Sequence, residues 1–275
     1  MSTLPLQPTV FSILRDLIEE RCGLHYGPED RELLADRISP RATEAGFDSL
    51  LDYYYFLRYD PASAAEFAEL VEALVVNETY LFRELAPVEA LVDRVIAPRV
   101  SGGGLRRARI WSAACATGEE PLTLAMVLAS RDLLDKVELV ASDISQRALE
   151  RARQGRLSLR ALRNPVPEAY QSYVRVEKGV VSVREDLRVR IRWERVNLVD
   201  RAEMAALGAF DAILCRNVLI YFSDETAQVV VGNLAGRLSE DGVLLVGTSE
   251  SLLRFGTRLR CEERGGVFFY MRGEA

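Results

Sequence analysis

The fold is decided by the stretch ARIWSAACATGEEPLTLAMVLASR, residues 108–131. Residues 108–115 form an apolar run typical of a buried strand, and residues 116–120 form a turn of small and acidic residues. From Pro121 onward, apolar residues recur at helical spacing. Strand, tight turn and helix in this order open the nucleotide-binding unit of doubly wound α/β folds. We therefore predict a sheet organised around this unit.

The turn differs from a dinucleotide-binding turn in two ways. It contains one glycine, Gly118, and it places Glu119 and Glu120 at the first turn of the helix. Carboxylates are stable there because the helix dipole is positive at its N-terminus, but they repel a pyrophosphate. A nucleoside with a cationic end, such as S-adenosylmethionine (SAM), fits these residues, whereas a nicotinamide dinucleotide does not. A helix that is merely capped by acids fits them equally well.

Composition excludes several classes of function. Of the 275 residues, 49% are hydrophobic, enough for one good core and a second small one. The net charge of −6 gives no support for a nucleic-acid partner. No apolar run approaches the roughly 20 residues that span a bilayer, and the N-terminus lacks the pattern of a secretion signal. We therefore expect a cytoplasmic protein without membrane insertion.

Cysteine and histidine usage limits the chemistry further. The four cysteines are far apart and form no C-x-x-C pair, which argues against a zinc site and is typical of a reducing cytoplasm. The single histidine, His25, lies in the turn-like stretch GLHYGPED, where we expect a surface or capping role. A triad with an imidazole base is thereby excluded. Any reaction must proceed without such a base.

The part of the chain before this unit is predicted to be helical over residues 9–90, from its helical apolar spacing. GPED, residues 27–30, is a helix-start signal, and Pro40 is expected to shorten or kink the helix that follows. SGGG, residues 101–104, is the clearest linker. We predict a helical domain over residues 1–90, a linker helix and glycine-rich link over 91–104, and an α/β domain over 105–275.

Three arginines, Arg31, Arg37 and Arg41, form the most basic surface of an otherwise acidic front half. The default interpretation is a solvated helix face. The alternative is a docking surface for an acidic partner.

Three further strands are predicted to end in residues that suit ligand binding. VELVASD, residues 137–143, ends in Asp143, and in mononucleotide-binding folds a carboxylate there hydrogen-bonds the ribose hydroxyls. A helix over residues 145–154 follows, with Ser145 as its predicted N-cap and Gly155 as its predicted C-terminal stop. The other two are a half-exposed strand over residues 189–194 and an apolar strand that begins at Phe210. Open α/β sheets bind ligands outside the carboxyl ends of their strands, so residues that follow these two strands are candidates as well. They are Asn197, Leu198, Arg216, Asn217 and Tyr221.

Two stretches depart from the alternation of strands and helices. Residues 156–187 contain YVRV and VVSV on either side of a short turn, which predicts a hairpin in a small insertion. The stretch CEERGGVFFYMR predicts two strands around Gly265 and Gly266. A terminal antiparallel hairpin is typical of SAM-dependent methyltransferase folds.

Taken together, these motifs resemble CheR-type chemotaxis receptor methyltransferases, which esterify glutamate side chains of chemoreceptors with SAM. The resemblance runs from about residue 10 to 272 and rests on motifs in family order. They are NETYLFRE, IWSAACATGEEP, ASDIS with ALERARQG, VNL and CRNVLIYF.

The resemblance implies an α/β fold class: an N-terminal all-α helical domain, then a class I SAM-dependent (Rossmann-like) methyltransferase domain with a small inserted β-subdomain. It implies a protein-glutamate O-methyltransferase of chemotaxis signal transduction, with SAM as cofactor and S-adenosylhomocysteine (SAH) as product. The implied partner is the cytoplasmic helical domain of chemoreceptors. Two alternatives stay open: a Rossmann-type methyltransferase of another substrate, and a non-catalytic SAM-binding interaction module.

Roles of individual residues also follow from the resemblance. Arg83 and Tyr221 are implied as catalytic residues nearest the transferred methyl group. The implied cofactor-binding residues are Asn77, Thr79, Arg83, Glu120, Asp143, Asn197, Leu198, Arg216 and Asn217.

Three of these assignments carry alternatives. The choice between Glu119 and Glu120 stays open. Leu198 is alternatively a core leucine that offers only its backbone, and Asn77 is alternatively the cap of a helix over NETYLFRE.

The chain also departs from the family pattern. Leu81 replaces a phenylalanine, which predicts looser packing around the cofactor, and Ala114 stands where many members have glycine. Pro40 and the neighbouring acids dilute the basic helix that the family is thought to use against receptors. The turn of the predicted hairpin, residues 177–179, is minimal, so we predict that a pentapeptide tether of the receptor is not required.

Overall fold

The computed structural model describes residues 4–101, 106–257 and 259–273. Its contacts group the chain into two compact units, Met1–Val76 with Tyr221–Thr226 and Asn77–Ile220 with Ala227–Ala275. The glycines of the predicted link, residues 102–104, lie outside the described residues. The predicted domain boundaries stay predictions.

The first unit is helical, as its apolar spacing predicts. Its core is formed by apolar side chains of all its long helices, with Leu14, Leu34 and Leu70 completely buried. The second helix and the fourth pack together, and the third packs against the first and the fourth. The helices are α1 (Pro8–Cys22), α2 (Arg31–Glu44), α3 (Leu50–Tyr59) and α4 (Ser63–Leu74), with a 3₁₀ turn at Pro28–Asp30.

Helix α2 continues through Pro40 and ends at Glu44, so the expectation that Pro40 shortens the helix is wrong. Proline removes one intrahelical hydrogen bond and crowds the preceding turn. Ile38 and Ala42, on either side of Pro40, are completely buried. Their packing against the rest of the unit outweighs the lost bond.

The arginines of α2 are largely engaged inside the first unit. Arg41 donates two hydrogen bonds to Glu66, at 2.7 and 3.0 Å, and Arg37 donates to the carbonyl of Leu74. Only Arg31 of the three is exposed. Two of the three arginines therefore hold helices together. Both interpretations of the sequence, a solvated face and a docking surface, treat them as free.

The predicted surface position of His25 is confirmed. Its ring is exposed, and Nδ1 lies 2.9 Å from Glu19.

The second unit is built on a seven-stranded sheet, which confirms the predicted α/β class. The strands of the unit, in chain order, are β1 (Ala108–Ala113), β2 (Val137–Asp143), β3 (Arg156–Ser158), β4 (Val174–Glu177), β5 (Val180–Val183), β6 (Ile191–Arg195), β7 (Phe210–Cys215), β8 (Leu238–Val246), β9 (Leu259–Arg264) and β10 (Val267–Arg272). Seven of them form this sheet, in the order β6-β2-β1-β7-β8-β10-β9; the first five in this order are parallel, and β10 runs antiparallel to both neighbours.

Helices flank this sheet, and the order of strands reverses between β1 and β7. This is the switch point at which open α/β sheets hold their ligands. The helices are α5 (Leu85–Leu91), a π-helical segment (Val92–Ile96), α6 (Ala97–Ser101), α7 (Glu119–Ser130), α8 (Gln146–Gln154), α9 (Glu185–Arg188), α10 (Arg201–Ala206) and α11 (Asp224–Ala235).

The predicted cap and stop of α8 are confirmed. The hydroxyl of Ser145 accepts a hydrogen bond from the amide of Ala148, and Gly155 ends the helix in the left-handed conformation.

Segment 77–84 is irregular, so the expectation of a helix through these residues is wrong. The amide of Leu81 donates to the carbonyl of Ala161 at 2.8 Å, and the amide of Phe82 donates to the Thr123 hydroxyl at 3.0 Å. These amides bond to other parts of the second unit instead of to the preceding turn. The interpretation of Asn77 as a helix cap therefore fails with the helix.

Strand β8 begins at Leu238 and includes Asp241 and Gly242, although an Asp-Gly pair is a common turn signal. Its pairing with β7 shifts register between Phe210 and Ala212. A Cβ on Gly242 would lie 2.8 Å from the carbonyl oxygen of Phe210. Gly242 therefore permits close packing at a bulge rather than a chain reversal.

The predicted insertion is a separate three-stranded sheet in the order β3-β5-β4. Strands β4 and β5 form the predicted hairpin, with Glu177 paired to Val180. The loop between them is Lys178 and Gly179, which both have positive φ, 48° and 79°. This geometry is that of a two-residue hairpin turn.

Candidate functional site

The turn after β1 lies at the carboxyl edge of the sheet, next to the switch point. Ala114 and Ala116 have φ of 54° and 48°, and Gly118 has φ of 93°. Alanine in the left-handed region costs on the order of 1–3 kcal/mol, and such strain collects at functional sites. Ala114 thus occupies a conformation that glycine adopts more readily than alanine.

Gly118 is required by packing as well as by conformation. A Cβ at this position would lie 2.7 Å from the Cβ of Ala152 and 2.9 Å from the ring of Trp193. The turn therefore lies directly against α8 and β6. The absence of a side chain at Gly118 allows this close contact.

The two glutamates at the start of α7 have different surroundings. Glu119 is 4% exposed and accepts a hydrogen bond from the Thr117 hydroxyl at 2.7 Å. Burial raises the pKa of Glu119 above its ordinary value, although that hydrogen bond opposes the shift. Glu120 accepts from the Ser112 hydroxyl at 2.8 Å and from Arg216 at 2.9 Å. Glu120 is thus the glutamate that contacts another predicted site residue.

Arg216 follows β7, and its side chain is only 2% exposed. Its guanidinium donates to the carboxylates of Glu84 and Glu120, at 2.8 and 2.9 Å, and to the carbonyl of Arg83 at 3.1 Å. Burial lowers the pKa of Arg216, but the two carboxylates outweigh this effect and raise the pKa. The buried Nε has no hydrogen-bond partner among the described residues. A buried N–H without a partner is costly, and this one is available to a ligand acceptor.

Glu84 is a site residue to which the sequence analysis assigned no role. It has φ of 45° and accepts hydrogen bonds from the Thr248 hydroxyl at 2.8 Å, the Thr248 amide at 3.2 Å and Arg216. Burial would raise the pKa of Glu84, but the bonds from Thr248 and Arg216 hold that pKa below its ordinary value. Glu84 therefore ties segment 77–84 to the ends of β7 and β8. Its place in the NETYLFRE motif was the available signal.

Glu250 is a second residue that the sequence analysis missed. Its buried carboxylate accepts from the amides of Asn217 at 2.6 Å, Gly247 at 2.9 Å and Leu219 at 3.0 Å. Asn217 has φ of 58°. Glu250 thus fixes the loop after β7 in a conformation that ordinary residues rarely adopt. An acid shortly after a core strand was the only signal in the sequence.

Asp143 lies at the predicted place, at the end of β2, and is buried. Its carboxylate accepts from the amides of Ala116 at 2.8 Å and Ser145 at 2.9 Å. Asp143 therefore holds the strained turn after β1 and the start of α8 at one edge of the sheet.

Asn197 and Leu198 follow β6 at the same edge of the sheet. The backbone amide of Asn197 donates to the carboxylate of Glu203 at 2.7 Å, and the side-chain oxygen of Asn197 accepts from the backbone amide of Val199 at 3.3 Å. Leu198 is buried, and its carbonyl accepts from Asn233 at 3.2 Å. The geometry thus keeps open a backbone role for Leu198.

Segment 77–84 carries Asn77, Thr79 and Arg83, all half-buried. The Arg83 guanidinium lies 5.6 Å from the centre of the Tyr80 ring and donates to the carbonyl of Glu78 at 3.4 Å. Among the described residues no carboxylate pairs with Arg83. Its charge is therefore free to bind an anion. Leu81, the departure from the family pattern, lies in the core of this unit, and the predicted loosening stays a prediction.

Tyr221 belongs to the first unit by its contacts. It ends a 3₁₀ turn, Leu219–Tyr221, and its carbonyl accepts from the amide of His25 at 2.9 Å. The implied catalytic role of Tyr221 stays a prediction.

The residues at this edge fit a cationic nucleoside ligand. The charged groups are mostly carboxylates, Glu84, Glu120 and Asp143, whereas Arg216 is the buried cation between two of them. Excess negative charge favours the sulfonium and ammonium of SAM, and the Arg216 Nε offers a donor for a neutral or anionic part of the ligand. Within the described ranges no cluster of histidine, cysteine or acidic residues could hold a metal ion. Nor does any described helix have the length and apolar character needed to cross a membrane.

Comparison with known proteins adds an independent finding. Residues 9–75 match the family model of the CheR methyltransferase all-alpha domain, and residues 77–265 match that of the CheR methyltransferase SAM binding domain. Chemotaxis protein methyltransferase 2 of Vibrio cholerae is 34% identical over 94% of this chain and 90% of its own. Chemotaxis protein methyltransferase of Escherichia coli is 33% identical over 90% of this chain and 86% of its own.

Among solved structures, an O-methyltransferase family protein from Burkholderia thailandensis superposes with a TM-score of 0.43 and 17% identity, over 90% of this chain and 71% of that one. The two family models together cover most of the chain, and relatives at about one third identity cover nearly all of it. The chain therefore belongs to the CheR family of SAM-dependent chemotaxis protein methyltransferases.

Proposed function

We propose that this protein methylates glutamate side chains of chemoreceptors and so forms glutamate methyl esters for chemosensory adaptation. The observation that carries the proposal is the state of Arg83. This arginine is half-buried, and no carboxylate among the described residues pairs with it. It lies on the segment that Glu84 ties to Arg216. An anionic substrate side chain supplies the partner that Arg83 lacks. The curated relatives are named as chemotaxis protein methyltransferases, which supports a receptor as the substrate.

The chemistry needs no general base. A glutamate side chain has a pKa near 4.3 and is an anion at neutral pH. When bound, SAM supplies an electrophilic methyl group, which the carboxylate attacks in line with the breaking carbon–sulfur bond. Holding the attacking oxygen on that line can contribute several kcal/mol to lowering the barrier. A chain with one histidine is therefore sufficient for this reaction.

Arg83 is the proposed clamp on the substrate carboxylate, because a guanidinium holds a carboxylate through two hydrogen bonds. Full pairing would weaken the nucleophile, so we propose that Arg83 holds it only partly. Tyr221 is the proposed donor that orients the same carboxylate. Its part in the proposal is supported by the resemblance to the family alone.

For the cofactor, we propose that Glu120 rather than Glu119 holds the amino-acid end. Glu120 lies against Arg216, whereas burial raises the pKa of Glu119 and disfavours its charge. Asp143 is proposed to bind the ribose. The other proposed contacts are Asn77, Thr79, Arg83, Asn197, Leu198, Arg216 and Asn217.

The substrate is proposed to be the cytoplasmic helical domain of the receptors, recognised without a pentapeptide tether. The hairpin loop of the insert has only two residues, Lys178 and Gly179, and offers little surface for a peptide. Calorimetry with a receptor C-terminal pentapeptide should detect no binding. Tight binding would contradict this part of the proposal.

The test of the proposed function is an assay with methyl-labelled SAM. The protein is incubated with receptor-containing membranes, with receptor fragments and with a panel of small acceptors. We expect base-labile release of labelled methanol from the receptors only. Label on a small acceptor would favour another substrate class, and absence of transfer to all of them would favour a SAM-binding interaction module.

A further inference from the structure

We propose that Arg163 and Tyr170 of the inserted subdomain are positioning residues, which hold segment 77–84 in the conformation that presents Arg83. The inference rests on the proposed function for the role of Arg83. It gives the inserted subdomain a role in positioning an active-site residue.

The first contact between the insert and the segment is made by Arg163. Its guanidinium forms an ion pair with Glu78 and lies 4.3 Å from the centre of the Tyr80 ring. Two residues earlier in the insert, the carbonyl of Ala161 accepts from the amide of Leu81 at 2.8 Å. The insert thus contacts the segment through a charge, a ring and the backbone.

The second contact is made by Tyr170, which is 1% exposed. Its ring stacks on Phe82 with 5.5 Å between ring centres and 20° between planes. Its hydroxyl donates to Glu89, within α5, at 2.5 Å and accepts from Arg131, directly after α7, at 2.9 Å. Tyr170 is therefore fixed on both sides and offers Phe82 a rigid surface.

The conformation of the segment explains why such contacts are needed. Phe82 and Glu84 both have positive φ, 63° and 45°, which residues with side chains rarely adopt. Such a backbone persists only where its surroundings over-determine it. Tyr170 anchors the residue before Arg83, and Arg216 anchors the residue after it. Arg83 is consequently held from both sides.

If these contacts only stabilised the fold, their loss would lower the unfolding temperature. The Arg163–Glu78 pair is about half exposed, with side chains 50% and 64% accessible. Exposed pairs contribute little to global stability. If Arg163 acts on the segment, its loss changes local dynamics and turnover while leaving the unfolding temperature in place.

The experiment compares Arg163→Gln with Arg184→Gln. Arg184 is a matched control, because it also pairs with an acid, Asp186, and lies 5.4 Å from a tyrosine ring, Tyr173, but only inside the insert. For each variant, amide hydrogen exchange of residues 77–84 is measured together with kcat and KM for SAM and for a receptor fragment. Thermal unfolding is recorded alongside.

For Arg163→Gln we expect about tenfold faster exchange of the Leu81 and Phe82 amides and about fivefold lower kcat/KM, because small displacements of a clamp are costly. The unfolding temperature should not change. Arg163→Lys should restore both values, since it keeps the charge. Arg184→Gln should behave as wild type.

Tyr170 is tested by two variants. Tyr170→Leu removes the stacked ring and should give at least the effect of Arg163→Gln, whereas Tyr170→Phe keeps the ring and should retain most turnover. Wild-type exchange and kinetics in Arg163→Gln, or equal damage in Arg184→Gln, would overturn the inference. If the wild-type protein itself transfers no methyl group, the proposed function fails, but the exchange data still decide whether the insert holds the segment.

Discussion

At Arg216, a buried guanidinium lies between the carboxylates of Glu84 and Glu120 and keeps one N–H without a partner in the described structure. Replacing a buried ion pair by apolar packing is often neutral or stabilising, whereas removing one partner costs about 3–5 kcal/mol. Stability alone therefore does not account for this arrangement. Under the proposed function the arrangement serves ligand binding, for which Arg216 must keep a fixed position and a free donor.

Arg83 offers the direct test of catalysis at the residue scale. Hydrogen bonds to charged groups contribute about 1.5–3 kcal/mol, so Arg83→Ala should lower kcat by roughly 10- to 100-fold. Its half-buried side chain has one weak hydrogen bond, so the unfolding temperature should stay unchanged. Arg201→Ala, at an exposed arginine, is the control and should keep the wild-type rate. A near wild-type rate in Arg83→Ala would remove Arg83 from the mechanism.

Glu84 gives a prediction about pH. Its pKa is held below its ordinary value in the folded state by Thr248 and Arg216, against the effect of burial. The stability that it contributes is therefore complete above the unfolded value, near 4.3, and is lost as the pH falls through the folded value. Glu84→Gln should be less stable by about 1–3 kcal/mol at pH 7, measured by denaturant unfolding.

The difference between wild type and Glu84→Gln should shrink as the pH falls below about 4.3, where Glu84 of the unfolded chain takes up a proton, and should be smallest below the lowered pKa of the folded state. Glu240→Gln is the control, since Glu240 is exposed on β8 and should cost nothing at either pH. A difference that does not vary with pH would show that the charge of Glu84 is not what stabilises the site.

At the scale of elements, the turn after β1 combines backbone strain with close packing. Gly118→Ala should destabilise the protein by about 2–4 kcal/mol, because the new Cβ would meet Ala152 and Trp193 and the backbone stays left-handed. Gly179→Ala is the matched control, because Gly179 has φ of 79° with nothing within 4 Å of a new Cβ. It should cost only about 1–2 kcal/mol in denaturant unfolding. Equal costs for the two variants would refute the packing argument.

The elements also show what the sequence could predict. Strands β2 and β10 and helix α8 follow from periodicity, caps and turns, because their hydrogen bonds lie within the element or its register. Segment 77–84 could not be predicted, because its backbone bonds to Ala161 and Thr123, far away in the sequence. For the same reason the site roles of Glu84 and Glu250 could not be predicted. Their partners become neighbours only when the sheet has formed.

For the whole molecule, the order of strands brings the candidate residues together at one edge of the second unit. Residues after β1, β2, β6 and β7 meet there because parallel strands end on the same side of the sheet. This edge was predictable, because polar residues that plain packing does not require end each of these strands or follow shortly after it. The conformations that aim those residues were not predictable.

Ligand binding at this edge should stabilise the folded protein as a whole. SAH at about 100 times its Kd should add about 2.7 kcal/mol to the free energy of unfolding, while NAD should add nothing. Differential scanning calorimetry with each ligand measures the effect. Stabilisation by NAD equal to that by SAH would contradict the electrostatic account of the turn before α7.

The central claim is that the anionic edge of the sheet and Arg83 together direct a methyl group to a protein carboxylate. Its most direct test is mass-spectrometric mapping of a receptor fragment after incubation with SAM and either wild-type protein or Arg83→Ala. The account predicts one added methyl group on glutamate side chains with wild type and a strongly reduced amount with the variant. Methylation of any other side chain, or of glutamate at equal levels with both proteins, would contradict it.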